Sequence, residues 1–294
     1  MSFSSISRPE PTWQRVIRLL RWDKPAGRLI LMIPALWSVF LAARGTPPVP
    51  LVGVIIVGTL ATSAAGCVVN DLWDRNLDRQ VARTKTRPLA ERSLSVKTGL
   101  VVLLISLVCA AVLAFYLNTL SFWLCVAAVP VIIGYPLAKR VFPVPQLVLS
   151  IAWGFAVLIC WSAAVGQLEP ETWVLWAATV SWTLGFDTVY AMSDREDDRK
   201  VGINSSALFF GRFVADVVGL FYLLTVGLLA YLATLMDLHI SFWLCFAIAS
   251  LGWLWQWWQL RQPEVRPTLY GQIFRQNVLQ GFVVLMGFIF GVLL

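Results

Sequence analysis

Nine long apolar stretches recur along the chain and are separated by short polar connections. As helices, segments of this length are suited to crossing about 30 Å of hydrocarbon. The pattern predicts an all-α, polytopic membrane bundle, in which residues 28–294 form one transmembrane domain after a basic segment at residues 1–27. The nine predicted spans cover approximately residues 28–44, 51–69, 98–117, 119–136, 144–165, 171–190, 212–235, 238–258 and 275–294.

Composition and charge support the same topology. Hydrophobic residues make up 59% of the chain and charged residues 13%, whereas soluble domains contain about 25% charged residues. In a nine-span topology, 22 of the 23 Lys and Arg residues fall on one side and only Arg44 on the other. The positive-inside rule therefore predicts a cytoplasmic N-terminus and an external C-terminus. The net charge of +7 then reflects topology and contact with anionic lipid, and no nucleic-acid partner is expected.

Two acidic clusters follow apolar spans on the predicted cytoplasmic side. They lie at residues 70–78 and 187–198 and hold eight of the chain's 16 carboxylates. A run of charged residues just outside a membrane span is usually a solvated loop. For either cluster taken alone, a solvated loop is therefore the alternative interpretation. Two clusters with similar helical spacing on one membrane side instead favour a functional site, because negative charge beside hydrocarbon needs compensation.

The spacing within the clusters indicates what such a site binds. On a helix, residues four apart lie one turn apart, so each cluster presents oxygen ligands along one side. Oxygen ligands and nearby basic residues suit Mg²⁺ and a bound diphosphate. Asp71 and Asp187 are candidates for a catalytic or supporting role, and Arg83 and Arg87 for diphosphate binding. The candidate metal ligands are Asn70, Asp74, Asp78, Asp194 and Asp198.

The same residues carry a family resemblance. The motif from Asn70 to Asp78, followed by Arg-Thr-Lys-Thr-Arg-Pro-Leu at residues 83–89, resembles the first signature of the UbiA-type intramembrane prenyltransferases. Residues 187–205 resemble the second signature of the 4-hydroxybenzoate polyprenyltransferase branch, and residues 21–27 fit the same branch. The resemblance extends from about Arg18 to the last span.

This resemblance implies a nine-helix bundle with a central cavity that opens to lipid and two acidic motifs that face each other under cytoplasmic cap loops. It implies that the candidate ligands hold Mg²⁺ and, through it, the diphosphate. Tyr135 and Lys139 match a YxxxK pair that contacts diphosphate in relatives. By spacing they share a helical face, although Pro136 could disturb it. Their alternative roles are an interfacial aromatic residue and a snorkelling lysine.

The resulting prediction is a Mg²⁺-dependent enzyme of the bilayer that moves a long polyprenyl group from its diphosphate to the ring of 4-hydroxybenzoate, toward ubiquinone or plastoquinone. Arg28 is the candidate cation for the acceptor carboxylate, with an interfacial anchor as the alternative. No obligate protein partner is expected. The competing functions are prenylation of another aromatic acceptor such as homogentisate, and cation-coupled transport.

Two further features have less specific interpretations. Residues 79–97 and 199–211 are either lids over the diphosphate or plain solvated connections. The tryptophans between residues 253 and 258 are expected to form an aromatic belt at the membrane interface.

Overall fold

The computed structural model describes residues 10–294, and all regular elements in that range are helical. Residues 1–9, which belong to the predicted basic segment, lie outside the described residues. Two 3-10 turns, Asp78–Gln80 and Gly211–Phe213, connect longer elements. The α-helices are α1 Thr12–Leu19, α2 Ala26–Ala42, α3 Val49–Asp74, α4 Val96–Ala114, α5 Thr119–Val141, α6 Pro145–Val165, α7 Pro170–Met192, α8 Arg195–Val201, α9 Ser206–Phe209, α10 Val214–Leu235, α11 Ile240–Leu260 and α12 Thr268–Leu293.

The long helices lie at the predicted apolar stretches. Helices α2 to α7 and α10 to α12 each coincide with one of them, which confirms an all-α membrane fold. Within the described chain, seven helices are both long and apolar enough to cross a membrane. The other two are α2, which has 17 residues, and α7, which carries Asp187 and several Ser and Thr residues. The count of nine spans therefore stays a prediction.

The bundle has a densely packed centre and a loosely covered edge. Helix α7 packs against α6 and α10, and α2 packs against α6 and α12. At the centre, Trp37 of α2 stacks on Trp182 of α7 with ring centroids 4.9 Å apart. Gly281 of α12 permits this approach, because a Cβ there would lie 2.9 Å from side-chain atoms of both Ile33 and Trp182. At the edge, α4 packs mainly on α3 and leaves residues such as Leu104 exposed, as expected of a lipid-facing helix.

The N-terminal segment contains a helix that the sequence analysis did not anticipate. Helix α1 has only eight residues, too few to register as a span. Its last residue, Leu19, is fully buried in a cluster with Ala64 and Val68 of α3. Arg15 donates to the carbonyl of Ser93 at 2.9 Å, so α1 fastens the loop that follows α3.

Candidate active site

The acidic motifs meet around a cavity of about 170 Å³ at one end of the bundle. Its walls come from the ends of α3, α5, α6 and α7, together with α8 and the loop after it. The lining combines oxygen ligands, cations and neutral hydrogen-bonding groups. The predicted residues on its wall are Asn70, Arg83, Tyr135, Lys139, Asp187, Asp194 and Asp198.

The local structure of the motifs differs from the single helical faces expected. Helix α3 ends at Asp74, and Asp78 begins the 3-10 turn four residues beyond that end. Asp187 lies in α7, whereas Asp194 is the N-cap residue of α8, after a break at the end of α7. The prediction of one continuous helical face in each motif is therefore wrong at Asp78 and at Asp194. The backbone turns after Asp74 in the first motif and after Met192 in the second, before it reaches these two residues.

Asp74 is completely buried next to the cavity but does not line it. It accepts a hydrogen bond from the Lys139 ammonium, and an Arg140 nitrogen lies 3.6 Å from its Oδ1. Within residues 10–294, that Oδ1 atom has no hydrogen-bond partner. This carboxylate therefore keeps one oxygen that can accept a further hydrogen bond, and its partner Lys139 lines the cavity.

Asp71 and Asp78 are joined by arginines under the loop after α3. The Arg87 Nη1 atom donates to Asp78 at 2.9 Å and to Asp71 at 3.2 Å. Arg21 donates to the same Asp71 oxygen at 2.6 Å. Burial alone lowers the pKa of Arg87, but the two carboxylates outweigh it and raise that pKa above its ordinary value. Arg87 therefore stays charged and fixes the loop onto the end of α3, away from the cavity wall.

Arg83 connects the two motifs across the cavity. Its Nε donates to Asp194 Oδ1 at 2.9 Å, and a second nitrogen donates to the other carboxylate oxygen. Its guanidinium also lies over the Tyr190 ring, 4.7 Å from the centroid, and donates to the Tyr190 hydroxyl at 2.8 Å. The bidentate geometry is the one by which arginine recognises carboxylates and phosphates. Arg83 thus holds the loop after α3 against the second motif.

Asp198 lies on α8 and is buried close to Asp194. Burial, and then the negative charge of Asp194, raise the pKa of Asp198 to about 6. The loop after α8 returns to the cavity, where the Asn204 amide donates to the Lys139 carbonyl at 2.8 Å. Both predicted cap loops therefore contact the site, and their closure as lids stays a prediction.

Tyr135 and Lys139 share one face of α5. The helix is continuous through Pro136, and both side chains line the cavity. The shared face predicted from their spacing is confirmed, and their contact with diphosphate stays a prediction.

Arg28 is buried at the start of α2 and is not among the residues that line this cavity. Its Nε donates to the Arg21 carbonyl at 3.2 Å, and its guanidinium lies 5.7 Å from the Trp22 ring centroid. Both terminal nitrogens are buried without a hydrogen-bond partner among residues 10–294. A buried guanidinium with free donors is costly unless an anion approaches it, so Arg28 suits the binding of a small carboxylate.

The donors around the cavity suit a hard cation. In the described part of the chain, no three His, Cys, Asp or Glu residues are grouped closely enough to form a metal site by themselves. Asn70, Asp194 and Asp198 nevertheless line one cavity, and each carries side-chain oxygen atoms that can coordinate a cation. This donor chemistry fits Mg²⁺, which takes few protein ligands and completes its shell with waters and phosphate oxygens.

Four polar lining residues were not singled out from the sequence: Gln146, Tyr190, Asn204 and Ser205. Tyr190 could have been found, because it lies three residues after Asp187 and four before Asp194. Gln146 is a lone polar residue at the start of an apolar span, and its side chain accepts from the Ser206 amide at 2.8 Å. That contact spans 60 residues and leaves no local sequence signal.

The bundle and its acid-lined cavity are those of a helical membrane enzyme. The chain belongs to the UbiA prenyltransferase family, whose sequence profile matches residues 31–278.

Several curated proteins are similar over nearly the whole chain. The 4-hydroxybenzoate solanesyltransferase of Synechocystis sp. is 67% identical over 281 residues, which cover 96% of both chains. The 4-hydroxybenzoate octaprenyltransferase of Pseudomonas aeruginosa (strain UCBPP-PA14) is 36% identical over 282 residues, covering 96% of this chain and 95% of that one.

Solved structures of more distant proteins share the fold. The apo structure of a UbiA homolog from Aeropyrum pernix K1 has a TM-score of 0.78 at 21% identity, covering 89% of this chain and 96% of that one. A UbiA homolog from Archaeoglobus fulgidus, bound to GPP and Mg²⁺, has a TM-score of 0.71 at 20% identity. The match covers 92% of this chain and 99% of that one. These structures confirm the all-helical membrane fold, and the profile match and the curated relatives confirm the predicted family.

Proposed function

We propose that this protein transfers a long polyprenyl group from its diphosphate to the aromatic ring of 4-hydroxybenzoate, with Mg²⁺ as cofactor. The observation that carries the proposal is the cavity where oxygen ligands of both motifs lie beside Arg83 and Lys139. The high similarity to a 4-hydroxybenzoate solanesyltransferase supports the acceptor and the long prenyl chain. A bacterial inner or plasma membrane is the corresponding location.

The metal assignment rests on the donor set. Mg²⁺, when bound, would stabilise the charge that develops on the diphosphate as the allylic carbon–oxygen bond breaks. The A. fulgidus homolog bound to GPP and Mg²⁺ supports this cofactor. The residues that would hold the ion are Asn70, Asp74, Asp78, Asp194 and Asp198, of which the first and the last two line the cavity.

Basic and aromatic groups of the chain would bind the rest of the donor substrate. Lys139 and Arg83 offer positive charge to the diphosphate oxygens, and the Tyr135 hydroxyl adds a neutral donor on the same wall. Both cations are paired with carboxylates here, so binding a diphosphate would exchange one anion for another at little desolvation cost. Apolar helices around the site keep water from the allylic cation.

Arg28 would bind the acceptor carboxylate, and Asp187 would take the proton released from the substituted ring carbon. Arg28 offers two buried nitrogens without partners in the described chain. Asp187 lies on the cavity wall one turn before Tyr190. A carboxylate at this position can act as a general base for the ring proton. The prenylated ring then regains aromaticity.

The test is an assay with purified protein, labelled 4-hydroxybenzoate, solanesyl diphosphate and Mg²⁺. We expect prenylated 4-hydroxybenzoate in the presence of Mg²⁺ and loss of product on chelation. Homogentisate in the same assay provides the competing acceptor. Faster prenylation of homogentisate than of 4-hydroxybenzoate would contradict the proposed substrate.

The proposed orientation places the site on the cytoplasmic side, with the C-terminus at Leu294 outside. It is supported by the distribution of 22 of 23 basic residues on one side of the nine-span topology. Reporter fusions at the two ends should report opposite sides of the membrane. Both ends on the same side would contradict an odd number of spans.

A further inference from the structure

A second cavity, of about 280 Å³, lies where the end of α3 meets the start of α4. Its lining residues differ from those of the candidate active site. Arg75, Arg79 and Arg92 supply its charge, and Ser95 and Val96 mark the start of α4 on its wall. We refer to it as the α3–α4 cavity.

The three arginines of the α3–α4 cavity differ from those of the active site in their partners. Within residues 10–294, none of the three forms an ion pair closer than 4.0 Å, whereas Arg21, Arg83 and Arg87 each do. Two of the three cavity arginines donate to backbone carbonyls, those of Leu72 and Ala90, at 2.9 and 2.6 Å. A carbonyl satisfies a donor but does not neutralise a charge. The α3–α4 cavity therefore carries uncompensated positive charge.

The start of α4 adds to this positive potential. Ser95 is the N-cap residue, and its hydroxyl accepts from the Thr98 amide at 3.1 Å. The first turn of this 19-residue helix contains no acidic residue, although a helix N-terminus favours negative charge. Arg92 has a backbone φ of +63°, a region that arginine rarely adopts. The loop thus brings an arginine and a helix N-terminus to one cavity, whose lining among residues 10–294 includes no carboxylate.

An apolar strip begins at the same cavity and runs along α4. Val96, Leu100, Leu104 and Val108 are spaced by four residues and therefore lie along one side of the helix. They are 43%, 51%, 62% and 53% exposed, respectively. A membrane helix that exposes such a row presents it to acyl chains. The cavity consequently places cationic groups directly at the end of a lipid-facing surface.

We propose that the α3–α4 cavity binds the phosphate of an anionic phospholipid, with an acyl chain along the α4 strip. Basic pockets at the membrane boundary recognise anionic headgroups by charge-assisted hydrogen bonds. Free inorganic phosphate shares the headgroup chemistry. The phospholipid is favoured because only a lipid also covers the strip that starts at Val96.

The experiment is native mass spectrometry of the full-length protein released from micelles containing phosphatidylglycerol or phosphatidylcholine. Wild type should retain phosphatidylglycerol in preference to phosphatidylcholine. The Arg75→Gln/Arg92→Gln variant should lose this preference, with affinity reduced about tenfold or more, because two cationic contacts are removed. Arg75→Lys/Arg92→Lys should keep most of it. The matched control is Arg212→Gln/Arg266→Gln, which removes two basic residues near α10 and α12 and should behave as wild type.

A separate arm distinguishes the source of the phosphate. Excess sodium phosphate should leave phosphatidylglycerol bound, because it lacks the apolar contact. Displacement of the lipid by sodium phosphate would overturn the lipid assignment, and equal lipid retention in wild type and Arg75→Gln/Arg92→Gln would overturn the site. Gel filtration checks folding, and the single Arg75→Gln variant, at an exposed position, should show a smaller loss in the same direction.

Discussion

Two polar regions lie inside this membrane bundle, and they differ in how completely their hydrogen bonds are satisfied. Around Asn277 of α12, neutral side chains of four helices bond to one another. The Asn277 oxygen accepts from Trp182 and Trp253 at 2.8 and 3.0 Å, and its nitrogen donates to Tyr222 and Gln256 at 3.2 and 3.0 Å. Within residues 10–294, none of these atoms is left without a partner, so we call this Asn277 network closed.

The acidic site contains charges and leaves atoms free. Asp74 and Asp71 each keep one buried oxygen without a hydrogen-bond partner within residues 10–294, and Arg28 keeps two nitrogens. Buried groups without partners are costly and cluster where a ligand completes them. We therefore expect the closed network to stabilise the bundle and the open site to bind the proposed substrates. Changes in the two regions should separate stability from activity.

The largest expected effect is on turnover. Asp194→Asn and Asp74→Asn should each reduce prenyl transfer by a factor of about 10² or more, because charge stabilisation in the transition state is lost. The proteins should still insert and fold. Rates with 4-hydroxybenzoate and solanesyl diphosphate measure the effect.

A matched Asp→Asn control is available outside the site. Asp216 forms an exposed ion pair with Arg261 at 3.3 Å, and such pairs contribute about 0–1 kcal/mol. Asp216→Asn should keep wild-type turnover. Substantial activity in Asp194→Asn or Asp74→Asn would remove the corresponding motif from the proposed metal centre.

The next effect concerns the Asn277 network. Asn277→Leu leaves the indole N–H groups of Trp182 and Trp253 without their acceptor. Each unsatisfied buried donor costs about 1–3 kcal/mol. Thermal unfolding in detergent should therefore begin at a clearly lower temperature, while the folded fraction keeps its specific activity. Leu279→Ala, at a position 67% exposed on the same helix, should change the unfolding temperature little. Loss of activity at unchanged stability would reverse the roles of the two regions.

The network also shows where sequence-based prediction ends. The positions of the long helices could be predicted, because apolar length alone marks a span. The Asn277 network could not, since Trp182, Tyr222, Gln256 and Asn277 are separated by 21 to 95 residues and each looks like an isolated polar or aromatic residue.

Trp253 illustrates the same limit. It was expected in an interfacial belt, but it is 1% exposed and bonded to Asn277, so that prediction is wrong for this residue. Trp255 and Trp258 are exposed and stack on each other with ring centroids 4.7 Å apart. A run of tryptophans on one helix faces several directions, and its periodicity alone does not say which ring faces the core.

The site was predictable in its residue types more than in its geometry. Motif spacing indicated the acids, and the structure brings Asn70, Asp194 and Asp198 to one cavity. The pairing of Arg83 with Asp194 spans 111 residues and depends on how the loop after α3 folds back. Local spacing carries no information about such contacts.

The smallest expected effect is on acceptor choice. Wild type should prefer 4-hydroxybenzoate to 4-hydroxybenzyl alcohol, which lacks the carboxylate that would pair with Arg28. A missing charged partner costs about 1–3 kcal/mol, and about 1.4 kcal/mol corresponds to a factor of ten. Arg28→Gln should remove the preference by slowing the acid alone.

Arg44→Gln is the control for Arg28. It changes an exposed arginine near the opposite end of α2 and should leave the preference intact. Equal rates of wild type with the acid and the alcohol would show that Arg28 does not bind the acceptor carboxylate.

The contrast between an open and a closed polar region is tested most directly by ligand-induced stabilisation. Unfolding temperatures are measured with and without geranyl diphosphate and Mg²⁺ for wild type, Asp194→Asn and Asn277→Leu. A ligand at 100 times its dissociation constant stabilises the folded state by about 2.7 kcal/mol. Wild type and Asn277→Leu should show the same upward shift from different starting temperatures, and Asp194→Asn should show almost none. A full shift in Asp194→Asn, or none in Asn277→Leu, would contradict the assignment of substrate binding to the acidic site.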